Sequence, residues 1–324
     1  MKALIFETFG GPEVLQYREL PDPAVPPGHV QLAMRATGVN FADLHRRRGN
    51  YFLPGKPPHI NGYEGAGIVV AVGEGVEGIA IGDRIGFADC PFANATRVNV
   101  PVEKAIPLPD DIGFTDAAAT LLQGLTAQYL VEDSYAVRPG DNVLVHAAGG
   151  GVGQALVQMA VAKGAIVIGL ASTPEKRAIA AALGAATCLE YSENWPDQVR
   201  AHVPGGVDVA YDSVGTTFPQ SLSCLRDRGT LVAFGTAGGN PPPIDPQLLM
   251  ERSLAIVGGD LWDHLDSREA RIERASRLFA AIREGALTLP RIDQFPLERG
   301  ADAHRRMEDR RFSGKIIMVS EGTE

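Results

Sequence analysis

The sequence predicts an α/β protein that combines a doubly wound parallel sheet of six strands with a second, β-rich domain. Three observations favour this fold. Short apolar strands alternate with helical patterns between residues 142 and 258, as in a parallel sheet covered by helices. A glycine-rich turn follows the first of these strands. The first hundred residues instead show strands separated by turns.

Length and composition define the class of protein. A chain of 324 residues exceeds the size at which one hydrophobic core stops growing, so we expect two domains. The content of 45% hydrophobic and 21% charged residues is typical of a globular protein. The formal net charge of -9 argues against a nucleic-acid partner, because phosphates repel an acidic surface. The one basic cluster is Arg46, Arg47 and Arg48, which we expect in a solvated loop.

Cysteine usage indicates the compartment. Cys90, Cys188 and Cys224 lie far apart, without a C-x-x-C pair. Their odd number does not allow a closed disulfide framework, so we predict a reducing, cytoplasmic location. The apolar run at the start is too short for a secretory signal, and no stretch is long and apolar enough for a membrane span. We therefore expect no membrane partner.

The β-rich domain is expected to contain strands at 3–6, 30–36, 67–72 and 83–87. A helical pattern without strand punctuation starts near Thr115 and marks a change of domain. After the alternating region come a charged helix over 267–284 and a strand over 315–319 that is expected to return to the first domain. The predicted domains are 1–122 and 123–264, with 265–324 completing the first.

The glycine-rich turn 147–153 lies between a strand and an amphipathic helix. The six strands of the parallel sheet are expected at 142–146, 166–171, 187–190, 207–212, 230–235 and 254–258. The apolar stripe of the first helix consists of Val152, Ala155, Leu156, Met159 and Ala160. In the pattern G-x-G-x-x-G, with Ala148 in the first place, Gly150 lets the backbone approach a pyrophosphate and Gly153 lets the helix pack close to the strand. We interpret the turn as a dinucleotide-binding site at a helix N-terminus.

The end of the second strand indicates which dinucleotide binds. A site for NAD needs an acidic side chain there for the ribose hydroxyl, and this chain has Ser172 and Thr173 instead. Ser172, Lys176 or Arg177, and Tyr191 are placed to donate to a 2′-phosphate. We therefore predict NADPH as the cofactor. The alternative is that Lys176 and Arg177 only face solvent.

Short motifs along essentially the whole chain resemble those of one enzyme family. They are GVNFAD (38–43), NGYEGAG (61–67), GDR (82–84), QGLTA (123–127), HAAGGGVG (146–153), YDSVG (211–215) and SGK (313–315). Together they resemble the zinc-free quinone oxidoreductases, similar to zeta-crystallin, among the medium-chain dehydrogenases/reductases. The resemblance implies a GroES-like catalytic domain and a Rossmann domain. It also implies a homodimer that forms through the strand from Leu254 to Gly258.

The resemblance further implies a set of cofactor-binding residues. They are Gln123, Thr126, Gly149, Gly150, Gly151, Val152, Ser172, Lys176, Tyr191, Val214, Phe234, Gly235, Leu261 and Lys315. The glycines and Val152 are expected at the pyrophosphate, and Gln123 and Thr126 near the nicotinamide. Lys315 is expected near the cofactor phosphates. Val214, Phe234, Gly235 and Leu261 are expected along the path of the adenine and the nicotinamide.

Zinc is not expected in this chain. The alcohol dehydrogenase branch of the superfamily has a Cys at the position of Asn40, a His at that of Tyr63 before Glu64, and a lobe with four clustered cysteines. This chain has Asn40, Tyr63 and the single Cys90. Because a zinc site needs three or four converging ligands, neither zinc site is available.

The expected substrate is a small quinone. Without a Lewis acid the substrate must accept hydride with little help, and a quinone does so because its reduced anion is aromatic. Asn40 and Asp43 are expected to shape the site floor, and Tyr51 or Tyr63 to give a hydrogen bond or proton to the reduced oxygen. The structural alternatives are a helix-turn hydrogen bond for Asp43 and loop packing for Tyr51.

Two other functions stay open at this point. The first is an enoyl or alkenal reductase, in which hydride goes to an activated C=C bond and a proton follows at the neighbouring carbon. The second is a non-catalytic NADPH-binding protein, crystallin-like or RNA-binding. The acidic charge argues against RNA.

Overall fold

The computed structural model describes residues 1–309 and 311–320. The chain divides into two compact units, of which the first is Met1–Leu122 with Leu265–Ala280 and Leu289–Glu324. The second is Gln123–His264 with Ala281–Thr288. The sequence predicts 281–288 in the C-terminal part of the first domain, but these residues pack with the second unit. The N–H of Thr288 donates to Gln158 Oε1 at 2.7 Å.

Most of the regular secondary structure in the first third of the chain is β-strand. Its strands are β1 (Lys2–Phe6), β2 (Gln16–Glu19), β3 (His29–Val39), β4 (His59–Ile60), β5 (Gly65–Val72), β6 (Arg84–Phe87), β7 (Arg97–Pro101) and β8 (Ile106–Pro107). Helix α1 (Phe41–Arg47) follows β3, and α2 (Phe114–Tyr129) continues as a π-helical turn, Leu130–Ser134. Short 3₁₀ turns lie at Pro12–Val14 and Val102–Lys104.

The middle of the chain alternates strand and helix, as the sequence predicts. Its elements are β9 (Asn142–Val145), α3 (Gly151–Ala162), β10 (Ile166–Leu170), α4 (Pro174–Ala182), β11 (Thr187–Leu189), α5 (Trp195–His202), β12 (Val207–Asp212), α6 (Phe218–Cys224), β13 (Leu225–Ala233), α7 (Pro246–Arg252) and β14 (Ala255–Gly258). The last part contains α8 (Arg268–Arg283), β15 (Ile292–Pro296), α9 (Gly300–Glu308) and β16 (Lys315–Val319), with 3₁₀ turns at Leu261–His264 and Leu297–Arg299.

Strand β3 organises the first unit. It lies in a sheet of order β15-β16-β3-β5-β6-β8, and β7 also pairs with it. Strand β16 pairs antiparallel with β3, with Ile316 opposite Val39, so this strand returns to the N-terminal part as predicted. A smaller sheet has the order β2-β1-β4. Because β3 extends three residues beyond its predicted end, it delivers Asn40 directly to the start of α1.

The second unit contains the predicted doubly wound sheet. Its six strands have the order β11-β10-β9-β12-β13-β14, and all recorded pairs are parallel. The order changes direction between β9 and β12, and ligands of such sheets bind beyond the carboxyl ends of the strands at this point. Strand β13 begins five residues before its predicted start, because Leu225 is buried and already pairs with Val207.

Helix α3 is buried more extensively than one apolar stripe requires. Ala155, Leu156 and Ala160 are buried as predicted, whereas Val152 and Met159 of the predicted stripe are only half-buried. Val157 and Gln154 on other faces are buried too. The helix therefore packs against the sheet and is also covered on its outer side. Among the described residues, no helix is long and apolar enough to cross a membrane.

Candidate functional site

The glycine turn of the second unit is shaped by close contacts that only glycine allows. A Cβ at Gly153 would lie 2.2 Å from the carbonyl oxygen of Ala147, and one at Gly149 would lie 2.7 Å from the carbonyl oxygen of Lys176. Ala147 has φ of 49°, which strains a residue with a side chain. Helix α3 begins directly after Gly150, so the N–H groups of its first turn point to the carboxyl end of β9.

Two predicted cofactor residues lie on α2. A Cβ at Gly151 would meet the side chain of Gln123 at 2.3 Å, so Gln123 adjoins the glycine turn. Thr126, one helical turn further, is buried. The structure therefore places the side chain of Gln123 next to Gly151 at the start of α3.

Ser172 and Lys176 lie beside the same turn, at the end of β10. Ser172 is exposed, and Lys176 packs against Gly149. Thr173 caps α4 by accepting the N–H of Lys176 at 3.3 Å. Arg177, the alternative to Lys176, is instead paired with Glu190 at 3.2 Å.

Tyr191 supports the glycine turn through a buried network. Its hydroxyl accepts the N–H of Ala147 at 2.9 Å and lies 3.2 Å from His146 Nδ1. The sequence places this hydroxyl at the adenosine phosphate, but these two bonds direct it to the turn itself. His146 Nε2 lies 2.9 Å from Ser221 Oγ, which donates to Asp212 Oδ2 at 2.7 Å. The sequence motifs do not predict this network, because Ser221 and Tyr191 are distant from His146 in the chain.

The network fixes the protonation of His146. Burial lowers the pKa of His146, with Asp212 opposing, so the ring is neutral. Because the single proton of Ser221 goes to Asp212, His146 Nε2 must donate to Ser221, and Nδ1 accepts from Tyr191. Burial by itself would raise the pKa of Asp212, but hydrogen bonds from two hydroxyl groups and a backbone N–H hold it below its ordinary value. The carboxylate therefore orders a chain of donors that ends at the glycine turn.

Three further predicted residues lie at the same edge of the sheet. Val214 follows β12, and its N–H donates to Asp212 Oδ1 at 2.8 Å. Phe234 and Gly235 follow β13, and a Cβ at Gly235 would lie 3.1 Å from the carbonyl oxygen of Ser213. All are half-buried. Leu261 is buried in a 3₁₀ turn after β14.

In the first unit, Asn40 and Asp43 begin α1. The backbone N–H of Asn40 donates to Asp43 Oδ2 at 2.9 Å, which is the helix-turn bond considered as the structural alternative for Asp43. Asp43 is 1% exposed. Burial raises its pKa, although the guanidinium of Arg46, 3.1 Å from Oδ1, opposes this.

Arg46 connects the two candidate tyrosines. Its guanidinium carbon lies 3.7 Å from the ring centroid of Tyr63 and 4.9 Å from that of Tyr51. The prediction of a solvated basic loop is wrong here, because Arg46 is 3% and Arg47 0% exposed. Burial raises the pKa of Tyr63, and Arg46 opposes the rise. The i, i+3 spacing of Asp43 and Arg46 after a helix N-cap was the sequence signal for this pair.

Lys315 forms a second buried cluster with Asn40 and Glu64. Its Nζ donates to Glu64 Oε2 at 2.6 Å and to Asn40 Oδ1 at 2.7 Å. Lys315 and Glu64 are both 0% exposed. The sequence places Lys315 near cofactor phosphates, whereas its ammonium is enclosed by these two side chains. No sequence signal joined Glu64 to the site.

Two family models match the chain. One, described as the alcohol dehydrogenase GroES-like domain, matches residues 26–139. The other, described as zinc-binding dehydrogenase, matches residues 151–278. With the doubly wound sheet and its glycine turn, they define an oxidoreductase of the medium-chain dehydrogenase/reductase class. The chain is 39% identical to a quinone oxidoreductase of Pseudomonas aeruginosa over 98% of this chain and 99% of the relative. It belongs to the quinone oxidoreductase family.

Other relatives match over the same length. A 2-haloacrylate reductase of a Burkholderia species is 37% identical over 98% of both chains. The crystal structure of Escherichia coli quinone oxidoreductase complexed with NADPH has a TM-score of 0.94 and 35% identity, covering 98% of this chain and 100% of that chain.

Proposed function

We propose that this chain is an NADPH-dependent reductase that transfers hydride to a quinone or a similar electron-poor carbonyl compound without zinc. The observation that carries the proposal is the match to quinone oxidoreductases over nearly the whole chain, one of them complexed with NADPH. The two compact units correspond to a catalytic domain and a cofactor domain.

The second unit fits NADPH. The close approach of Gly153 to Ala147 leaves the turn open to a pyrophosphate at the start of α3. Ser172 and Lys176 are the donors for the 2′-phosphate, since Arg177 is already paired with Glu190. Gly149, Gly150, Gly151 and Val152 hold the pyrophosphate in this proposal. Gln123, Thr126, Val214, Phe234, Gly235 and Leu261 line the rest of the cofactor path.

NADPH, when bound, supplies the hydride. The first unit contributes Arg46 and its two tyrosines. A reduced quinone oxygen needs a hydrogen bond or a proton. Tyr51 is 50% exposed and Tyr63 only 3%, so we assign the contact with substrate to Tyr51 and the anchoring of Arg46 to Tyr63. Replacing Tyr51 by Phe should lower kcat about tenfold or more, and full kcat in this variant would contradict the assignment.

Zinc does not fit the residues of the first unit. Asn40 is a weak ligand, and Asn40 Oδ1 and Glu64 Oε2 already accept hydrogen bonds from the Lys315 ammonium. Burial raises the pKa of the Cys90 thiol to about 12, so this cysteine is not a thiolate. Purified protein should contain no stoichiometric zinc and should keep its activity in 1,10-phenanthroline.

The test of the function is NADPH oxidation with a panel of acceptors. We expect turnover of 1,4-benzoquinone and phenanthrenequinone. The 37% identity to a 2-haloacrylate reductase supports a second candidate, reduction of an activated C=C bond, so the panel includes a 2-haloacrylate, an alkenal and an enoyl thioester. Turnover of these alone would replace the quinone by an alkene substrate. Tight NADPH binding without any turnover would favour a non-catalytic role.

A homodimer through β14 is part of the proposal. Among the residues that the structure describes, β14 pairs only with β13, and it carries the exposed apolar side chain Ile256. An edge strand of this kind pairs readily with a second copy. Light scattering should give twice the chain mass, and Ile256→Lys should give a monomer. The cytoplasmic location stays a prediction from the sequence.

A further inference from the structure

The enclosed Lys315 ammonium neutralises the buried carboxylate of Glu64. Glu64 Oε1 accepts the N–H of Leu122 at 2.7 Å, and Oε2 accepts both Lys315 Nζ at 2.6 Å and Asn40 Nδ2 at 3.1 Å. Removing one partner of a fully buried pair leaves a buried charge, which is strongly destabilising. The pair therefore has to be kept or removed as a unit.

The same ammonium fixes the amide of Asn40. Asn40 Oδ1 accepts from Lys315, which leaves Nδ2 to donate to Glu64, so the amide has one favourable orientation. The backbone N–H of Asn40 binds Asp43, and Asp43 pairs with Arg46. The position of the ammonium is thus transmitted from β16 to α1 and to the tyrosines around Arg46.

We propose that Lys315 is a positioning residue. Its buried ammonium fixes Asn40 and Glu64 and, through Asp43 and Arg46, the tyrosines of the first unit. The inference rests on the proposed zinc-independent reduction. It replaces the predicted contact of Lys315 with a cofactor phosphate. A second cation at this point would be repelled by the ammonium.

The test is a double-mutant cycle in the full-length protein with Lys315→Met, Glu64→Gln and the double variant. Lys104→Met is the matched control, because Lys104 pairs with Asp89 at 3.6 Å but is 27% exposed. We expect Tm to fall by roughly 10 °C in Lys315→Met and in Glu64→Gln. The Tm loss of the double variant should be no more than half of the sum of these two losses. The control should change Tm by no more than about 2 °C.

Activity and cofactor affinity separate positioning from a merely structural role. In the charge-balanced double variant, which we expect to fold even if a single one does not, kcat should fall about tenfold while KM for the quinone and Kd for NADPH change less than twofold. Unchanged kcat in a folded double variant overturns the inference. A tenfold rise in Kd for NADPH would also overturn the inference, because Lys315 would then contact the cofactor. Strictly additive Tm losses would overturn it as well. If the wild type reduces no acceptor, the proposed function fails, while non-additive Tm losses still support the charge pair.

Discussion

Protonation of His304 should control the acid stability of the first unit. His304 on α9 is fully buried, and Arg47, itself fully buried, donates from Nη1 to His304 Nδ1 at 3.0 Å. Burial and the positive charge of Arg47 lower the pKa of His304 to about 3. The other charged groups at this site are Glu308, which accepts from Arg47, and Arg48, which also pairs with Glu308.

The magnitude follows from the two pKa values. The unfolded chain protonates His304 near pH 6.5, whereas the folded chain resists protonation down to about pH 3. The contribution of neutral His304 to the free energy of unfolding is therefore fully present above pH 6.5. It decreases as the pH falls below 6.5, because the unfolded state takes up the proton first. Between pH 7 and pH 5 this group alone should reduce the free energy of unfolding by about 2 kcal/mol, and by about 3 kcal/mol at pH 4.

The assay is urea unfolding at pH 7 and pH 5 for the wild type and for His304→Asn, whose Oδ1 can still accept from Arg47. The wild type should lose about 2 kcal/mol more than the variant between these pH values. All other titratable groups are the same in both proteins, so the difference isolates His304. His202→Asn is the control, since His202 is exposed on α5. Equal losses in the wild type and His304→Asn would refute the reasoning.

Three further predictions concern the two candidate sites. Lys176→Ala should lower kcat/KM for NADPH about 10- to 100-fold and leave kcat/KM for NADH unchanged. Lys163→Ala is the control, and equal use of NADPH and NADH by the wild type would contradict the assignment of Lys176. Gly153→Ala should destabilise the protein by about 1–3 kcal/mol and weaken NADPH binding, because the added Cβ would lie 2.2 Å from a backbone oxygen. Gly205→Ala is the control, since a Cβ at Gly205 would have no atom within 4 Å. Arg46→Met should cost about 3 kcal/mol in urea unfolding by leaving Asp43 buried and unpaired; a loss below 1 kcal/mol would argue against this pairing.

The parallel sheet was predictable because its signals are local. Each strand of the second unit is a short apolar run, and the glycine turn lies between a strand and a helix within a dozen residues. The exception is β13, whose first residues, Leu225 to Arg228, include charged side chains that hide the strand pattern. Its start is set by pairing with β12, which is a tertiary contact.

The buried polar clusters were not predictable because their partners are distant in sequence. Lys315 and Glu64 are 251 residues apart, and Arg47 and His304 are 257 apart. A run of three arginines usually faces solvent, and only the folded chain shows that Arg46 packs against tyrosine rings. The sequence therefore identified some residues of the candidate site, but it did not predict which buried side chains pair with one another.

The pairing of β16 with β3 has a consequence for the order of events during synthesis. β3 emerges from the ribosome long before β16, which is needed to complete its sheet. The six strands of the second unit are contiguous in the chain from Asn142 to Gly258, so that sheet can form first, as domains generally fold during translation. The Lys315 bonds to Asn40 and Glu64 then form last, and the first unit becomes ordered only after the sheet of the second unit already exists.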